Sequence, residues 1–238
     1  VEQNNSIKPV WFFHIPKTAG RFFYANVIRL LEHDFIASGK QYTDIVNGYG
    51  HASFKPLDND NVLSVSVLRD PISRTISHYQ HIYKKHLTGD IKEYKKEFLD
   101  FMFNNPTKEI VDYQTKFISY NGNEKIIDID GICLSNKVKD SDLALAKERL
   151  SKVDYLFKMD DVNHDTAKKS LELFRKHFNL EPKSEYINST LHNIVNPKSK
   201  LFKESLTPKE VSLLKSLMYN DYELYNNAQY TDVELFLK

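Results

Sequence analysis

A chain of 238 residues can bury a sizeable core and needs no covalent or metal staple to do so. Its 33 basic and 32 acidic residues nearly cancel, which excludes a global electrostatic footprint for nucleic acid, so any anion site must be local. A lone cysteine, Cys133, excludes an intrachain disulfide and a cysteine-rich zinc site.

Residues 1–9 are polar and expected to be flexible, and the chain, 1–238, is read as one domain. Residues 10–15 (VWFFHI) form a short apolar run closed by Pro16 and Gly20, which predicts a buried strand running into a loop. Residues 22–31 carry Phe23, Val27, Leu30 and Leu31 at helical spacing, so the first unit is strand, loop, helix. Residues 62–68 (VLSVSVL) predict a second buried strand. Asp70-Pro71 ends it and opens a helix, with Asp70 as N-cap and Pro71 at the first helical position. Ile72, Ile76, Tyr79, Tyr83 and Leu87 form that helix's apolar stripe.

Residues 92–103 predict a lysine-rich amphipathic helix, and residues 110–120 another. Cys133, between Ile132 and Leu134, reads as a small buried hydrophobe. Residues 142–150 predict a helix and residues 155–159 a short strand. Residues 161–178 predict a helix with Ala167, Leu171, Phe174 and Phe178 on one face. Residues 182–205 read as irregular. Thr207-Pro208-Lys209-Glu210 is a capping box that opens one last helix, with Val211, Leu214, Met218, Tyr222 and Tyr225 buried. Strands alternating with helices predict an α/β chain, three layers around a central, mostly parallel sheet. No apolar run approaches the ~20 residues of a bilayer span. No signal peptide is legible at Val1, and with one cysteine the expectation is a cytoplasmic protein.

The chemistry concentrates in the loop Pro16-Lys17-Thr18-Ala19-Gly20-Arg21. A loop joining a strand's carboxyl end to a helix is where open α/β sheets bind ligands. Small residues let the backbone approach a tetrahedral anion, the helix's first N–H groups point at it, and Lys17 adds a mobile cation. The loop is not a Walker A motif, because the lysine precedes the glycine. The acidic residues that could hold a kinase's magnesium, Asp128 and Asp160, are poorly placed after their apolar runs. An ordinary βα turn with a solvated lysine would look much the same, so the loop needs support from elsewhere.

That support is Val67-Leu68-Arg69-Asp70-Pro71 and the helix behind it. Arg69 falls at the carboxyl end of the second strand, where a guanidinium can grip a phosphate bidentately. Ser73 and Ser77 are one turn apart, away from Ile72 and Ile76, so Ser77 can reach an anion held by Arg69. Arg69-Asp70 alone could be a local ion pair with a cap. Two anion cradles on neighbouring strands instead imply a ligand with two separated phosphate-like groups. 3'-Phosphoadenosine 5'-phosphosulfate (PAPS) is such a ligand.

His14-Ile15-Pro16-Lys17-Thr18-Ala19-Gly20 resembles the 5'-phosphosulfate loop of the PAPS-dependent carbohydrate O-sulfotransferases, relatives of the heparan sulfate 2-O and 6-O enzymes. Residues 67–79 (VLRDPISRTISHY) resemble their 3'-phosphate motif, in the family's order and separation. Asp112-Tyr113-Gln114-Thr115-Lys116-Phe117 is more faintly similar to the family's central Gln-Thr helix, and Asp221-Tyr222-Glu223-Leu224-Tyr225 to its closing helix. The resemblance thus spans most of the chain and implies a P-loop-like α/β fold. It assigns Lys17, Thr18, Ala19 and Gly20 to the phosphosulfate, with Arg21 and Phe22 following at the helix start, and Arg69 and Ser77 to the 3'-phosphate. Asn188 and Thr190 resemble a late loop over the nucleotide. Arg21 stands where the family has threonine or serine. An arginine there could add charge at the sulfuryl group or turn toward an acidic acceptor.

Sulfuryl transfer to a hydroxyl needs a base with a pKa near neutrality. The candidate is His51, in the glycine turn Asn47-Gly48-Tyr49-Gly50-His51, and the family has a catalytic histidine after glycine between its two motifs. Lys17 is the second catalytic candidate, at the leaving oxygen. His14 reads as a core hydrogen-bonding residue, His78 and His81 as solvated or supporting, and His164, His177 and His192 belong to no motif. No metal is expected, since His78-x-x-His81 lacks zincin spacing. Lys84, Lys85, Lys92, Lys95 and Lys96 read as a solvated helical face. The acceptor implied is a hydroxyl compound, in this family a sugar or glycan, and the product is adenosine 3',5'-bisphosphate. Two other readings stand beside this one: a metal-dependent small-molecule kinase on a similar fold, and a non-catalytic nucleotide- or glycan-binding module.

Overall fold

Three parallel strands lie side by side in chain order: β1 (Val10–Phe13), β2 (Leu63–Leu68) and β3 (Tyr155–Lys158). They belong to a computed structural model that describes residues 8–18, 20–39, 62–82, 90–104, 110–120, 137–159, 164–182, 201 and 203–232. Val10 pairs with Leu63 and Phe13 with Ser66, while Val65 pairs with Tyr155 and Leu68 with Lys158. The carboxyl ends of all three strands therefore share one edge, where an open α/β sheet presents its ligand loops.

Alternation along the strands sorts the core into two faces. Val10 and Phe12 of β1 join Leu63, Val65 and Val67 of β2 and Phe157 of β3 on one face. Phe13, Leu68 and Leu156 point to the other. Both faces are covered, so every residue of β2 is buried. The two serines in that strand are satisfied internally. Ser66 Oγ donates to Phe13 O at 2.9 Å, and Ser64 Oγ to Asp154 Oδ2 at 2.7 Å.

On the first face lie α1 (Gly20–Phe23), a π-helical stretch Tyr24–Ile28, α2 (Arg29–Ala37) and α7 (His164–His177). The π-helical register has a side-chain contribution. Asn26 Nδ2 donates to Phe22 O at 2.9 Å, and the Arg29 N–H reaches back to Tyr24 O. A buried ion pair, Arg175 Nε to Asp34 Oδ2 at 2.7 Å, ties α7 to α2. The second face carries α5 (Tyr113–Ser119), α6 (Asp140–Ser151) and α9 (Tyr219–Asn227). A third apolar cluster joins α3 (Pro71–Ile82), α4 (Ile91–Asn104) and α8 (Pro208–Leu217) through Ile76, Tyr79, Phe98, Leu214 and Met218.

The three-layer α/β arrangement is the one the sequence predicts, with several corrections. The last helix is not continuous. It breaks at Met218, where α8 ends and α9 begins, because the Asp221 N–H donates to Asp112 Oδ1 at 3.0 Å rather than continuing the α8 ladder. The helix expected over 110–120 starts only at Tyr113, since Asp112 takes a left-handed φ of 50°. β1 stops at Phe13, His14 follows outside the strand, and Ile15 opens the turn. Lys95 and Lys96 are paired, with Glu210 and Asp100 at 2.8 Å each, as befits an ion-laced surface face. Lys84, Lys85, Tyr83, Leu87 and Cys133 lie outside the described residues, as do residues 1–7 and most of 182–205.

Candidate active site

The β1 loop opens as a four-residue turn. Thr18 N and Thr18 Oγ1 both donate to Ile15 O, at 3.3 and 2.8 Å. Pro16 holds the second position, and Lys17 the third at φ 71°. That is the pattern of a type II turn, whose third position normally asks for glycine. A lysine there stores about 1 kcal/mol or more of backbone strain. Left-handed residues in tight turns gather successive N–H groups on one side, the arrangement that makes a concave anion site. The Thr18 hydroxyl proton is committed to the turn.

What holds the loop comes from the segment that follows β2. Arg69 Nη1 donates to Lys17 O at 3.0 Å, and Arg74 Nε donates to Pro16 O at 3.2 Å. Two consecutive carbonyls are thus tied down by two guanidinium groups. Arg69 is itself gripped through its main chain. Its N–H donates to Gln114 Oε1 at 3.0 Å, and Gln114 Nε2 donates back to its carbonyl at 2.9 Å. One buried amide on α5 therefore secures the exit of β2.

Asp70 is the N-cap that the sequence predicts, accepting from Ser73 N at 2.9 Å. It also accepts from Lys203 Nζ and from Tyr222 Oη, so its charge is answered by Lys203, while Arg69 reaches the other loop. Burial alone would raise its pKa, but Lys203, the Ser73 N–H and Tyr222 outweigh burial and hold the carboxyl below its ordinary range. Ser73 and Ser77 lie half-buried in the first two turns of α3.

Arg74 is wholly buried. Its guanidinium lies 3.6 Å above the Tyr113 ring, and its Nη2 contacts His78 Nδ1. Burial pulls its pKa down to about 10, the nearby Arg69 adds to the fall, and Tyr113 and Asp221 oppose it. His78 is correspondingly buried, which corrects the solvated reading and favours the supporting one.

Beneath α5 two carboxylates cap each other's helices. Asp221 accepts from Thr115 N, Thr115 Oγ1 and Gln114 N, at 2.7, 2.8 and 3.2 Å. Asp112 accepts from Asp221 N at 3.0 Å and from Asn220 Nδ2 at 2.8 Å. Burial and then the Asp112 charge push Asp221 up to about 6, and burial raises Asp112 as well.

Of the residues singled out in the sequence, Lys17, Thr18, Gly20, Phe22, Arg69 and Ser77 are described, the first five at or beside the joined loops and Ser77 two turns into α3. Ala19, His51, Asn188 and Thr190, and the side chain of Arg21, lie outside the described residues. Gly20 has a further role. A β-carbon there would come within 2.0 Å of the His14 imidazole, which also stacks on Phe12 at 5.8 Å. His14 is therefore a packing partner of the loop's helix, beyond the core residue the strand pattern implies. His164, which belongs to no motif, sits with its ring 5.2 Å from Phe22 at the same edge. Arg74 and Gln114 lie inside quoted motifs, yet spacing gives them no destination, because their partners are main-chain atoms 58 and 45 residues away.

The loop of a βα unit and the arginine-bearing exit of the adjacent parallel strand meet at one edge of an open α/β sheet, the architecture of the P-loop-like class. The sequence matches the Sulfotransferase family over residues 6–230, so the chain belongs to that family. No curated protein and no solved structure matches it.

Proposed function

We propose that this sulfotransferase takes its sulfuryl group from PAPS and passes it to a hydroxyl of a sugar or glycan acceptor. The observation that supports the reading most is the hydrogen bond from Arg69 Nη1 to Lys17 O at 3.0 Å. It brings the two motifs side by side at one sheet edge, which supports a ligand with two phosphate-like groups: one loop for its 5' end and one arginine for its 3' end.

PAPS supplies a sulfuryl group already activated on a phosphate oxygen. Within the chain, Lys17 and the N–H groups at the start of α1 hold the 5' anion, with Ala19, Gly20, Arg21 and Phe22 around it. Lys17 stabilises the negative charge that develops on the leaving oxygen. Arg69 and Ser77 hold the 3'-phosphate, and Asn188 and Thr190 close over the nucleotide. His51 removes the acceptor's proton.

Calorimetry with adenosine 3',5'-bisphosphate tests the nucleotide assignment. Binding is expected, and both Lys17→Ala and Arg69→Ala should weaken it by about tenfold or more, the loss of a charge-assisted hydrogen bond. Absence of binding, or indifference to both substitutions, overturns the reading. His51→Ala should abolish turnover in a screen of glycan acceptors with labelled PAPS while bisphosphate affinity stays. Retained turnover would move the base elsewhere.

A further inference from the structure

Arg74 carries its charge wholly within the protein. A fully buried guanidinium is retained at a cost, so its donors ought to be spent on something specific. One goes to His78 and one to the Pro16 carbonyl, while Nη1 has no hydrogen-bond partner among the described residues. The ring face of Tyr113, 3.6 Å away, fixes the plane of the fork. Arg74 therefore reaches the β1 loop from within the protein and exposes no surface of its own.

The consequence follows from the peptide group. The bond between Pro16 and Lys17 is trans and planar, so the Lys17 N–H points opposite the Pro16 carbonyl. Fixing that carbonyl on Arg74 fixes the direction of the N–H. Arg69 does the same for the next peptide by holding the Lys17 carbonyl, which sets the direction of the Thr18 N–H. Lys17 sits at φ 71° between these two anchors, in the left-handed conformation that the third position of the turn demands and that a lysine adopts only under strain.

We propose that Arg74 is a positioning residue for sulfuryl transfer: by holding the Pro16 carbonyl it aims the Lys17 peptide N–H and side chain at the nucleotide's 5' anion. The inference rests on the nucleotide assignment made above. It separates Arg74, which acts only through the loop, from Arg69, which both braces the loop and meets the 3'-phosphate.

The test compares two nucleotides. Adenosine 3',5'-bisphosphate engages both ends of the site, and adenosine 3'-monophosphate only the Arg69 end. Wild-type protein should bind the bisphosphate more tightly. In Arg74→Lys and Arg74→Gln that preference should collapse by about tenfold or more, the worth of one well-aimed hydrogen bond to a charged group, with affinity for the monophosphate unchanged. A purely structural role would weaken both nucleotides together and would overturn the proposal. So would a preference that survives in a folded variant. Should both variants fail to fold, the wild-type protein gives the answer through the Arg74 side-chain Nε–H resonance. It should shift with the bisphosphate and not with the monophosphate, and equal shifts would overturn the proposal. If wild-type protein binds neither nucleotide, it is the assignment to PAPS that fails.

Discussion

The loops leaving β1 and β2 end on the same edge of the sheet and are held in opposite ways. The β2 exit brings its own order. Asp70 caps α3, Pro71 fits the first helical turn, and Gln114 clamps both main-chain groups of Arg69. The β1 loop has the Ile15–Thr18 turn, a lysine at φ 71°, and carbonyls held by arginines from the β2 segment. The difference has a physical reason. The turn spends the Thr18 N–H and hydroxyl on the Ile15 carbonyl, so the carbonyls of Pro16 and Lys17 are left to be braced from outside the loop. The second motif is then the scaffold of the first, and under the proposed function its Arg69 serves the ligand as well.

The strongest way to break this arrangement is at Gln114. Gln114→Leu strands the N–H and C=O of Arg69, each worth about 1–3 kcal/mol when buried without a partner. Thermal unfolding should fall accordingly, and bisphosphate affinity should drop although Gln114 touches neither loop's anion site. Gln114→Glu keeps the acceptor for the Arg69 N–H and should recover part of the loss. Unchanged affinity in a folded Gln114→Leu variant would mean that Arg69 holds its position without the clamp.

Gly20→Ala attacks the borrowed order of the first loop. The added methyl meets the His14 ring, which is enclosed against Phe12, and overpacking of this kind costs about 1–3 kcal/mol. Unfolding temperature and bisphosphate binding should both fall. Restoration of both by His14→Ala in the same chain would identify the imidazole as the obstacle.

The carboxylate pair under α5 sharpens the comparison through pH. Asp221 titrates at about 6 in the folded protein against an ordinary 3.8, so the folded state holds the proton more tightly. Stability from this group is present below the ordinary value and is lost as pH rises toward about 6. Asp112→Asn removes the neighbouring charge, lowers the Asp221 pKa and should flatten that decline in melts recorded across the window. An unchanged slope would assign the decline to other groups.

Lys17→Gly has the smallest effect on stability and the opposite sign. Relief of the left-handed backbone should stabilise by a few tenths to about 1 kcal/mol, partly offset by glycine's greater freedom when unfolded. Bisphosphate binding should nevertheless weaken, since the ammonium is gone. A loss of stability would show that the Lys17 side chain supports the fold as well as the site.

Several features were legible because their causes lie within a few residues. The run VLSVSVL is continuous rather than alternating because both faces of β2 are covered. The Asp70 cap and the Thr207–Glu210 capping box are made by neighbours three residues apart, and both form as read. The break at Met218 was not legible. Met218, Tyr222 and Tyr225 keep helical spacing across it, and the carboxylate that interrupts the ladder comes from residue 112. The same holds for Asp112 and Asp221, which cap each other's helices across 109 residues.

By itself the sequence determined the α/β alternation, the strand that delivers Pro16-Lys17-Thr18, and the arginine that ends the next strand, because periodicity and capping are local properties of the chain. Only the tertiary structure decided what braces that loop. Parallel pairing of β1 with β2 brings Arg69 and Arg74 under the carbonyls of Lys17 and Pro16, and a hydrogen bond between groups more than fifty residues apart exists only once the sheet has set their distance.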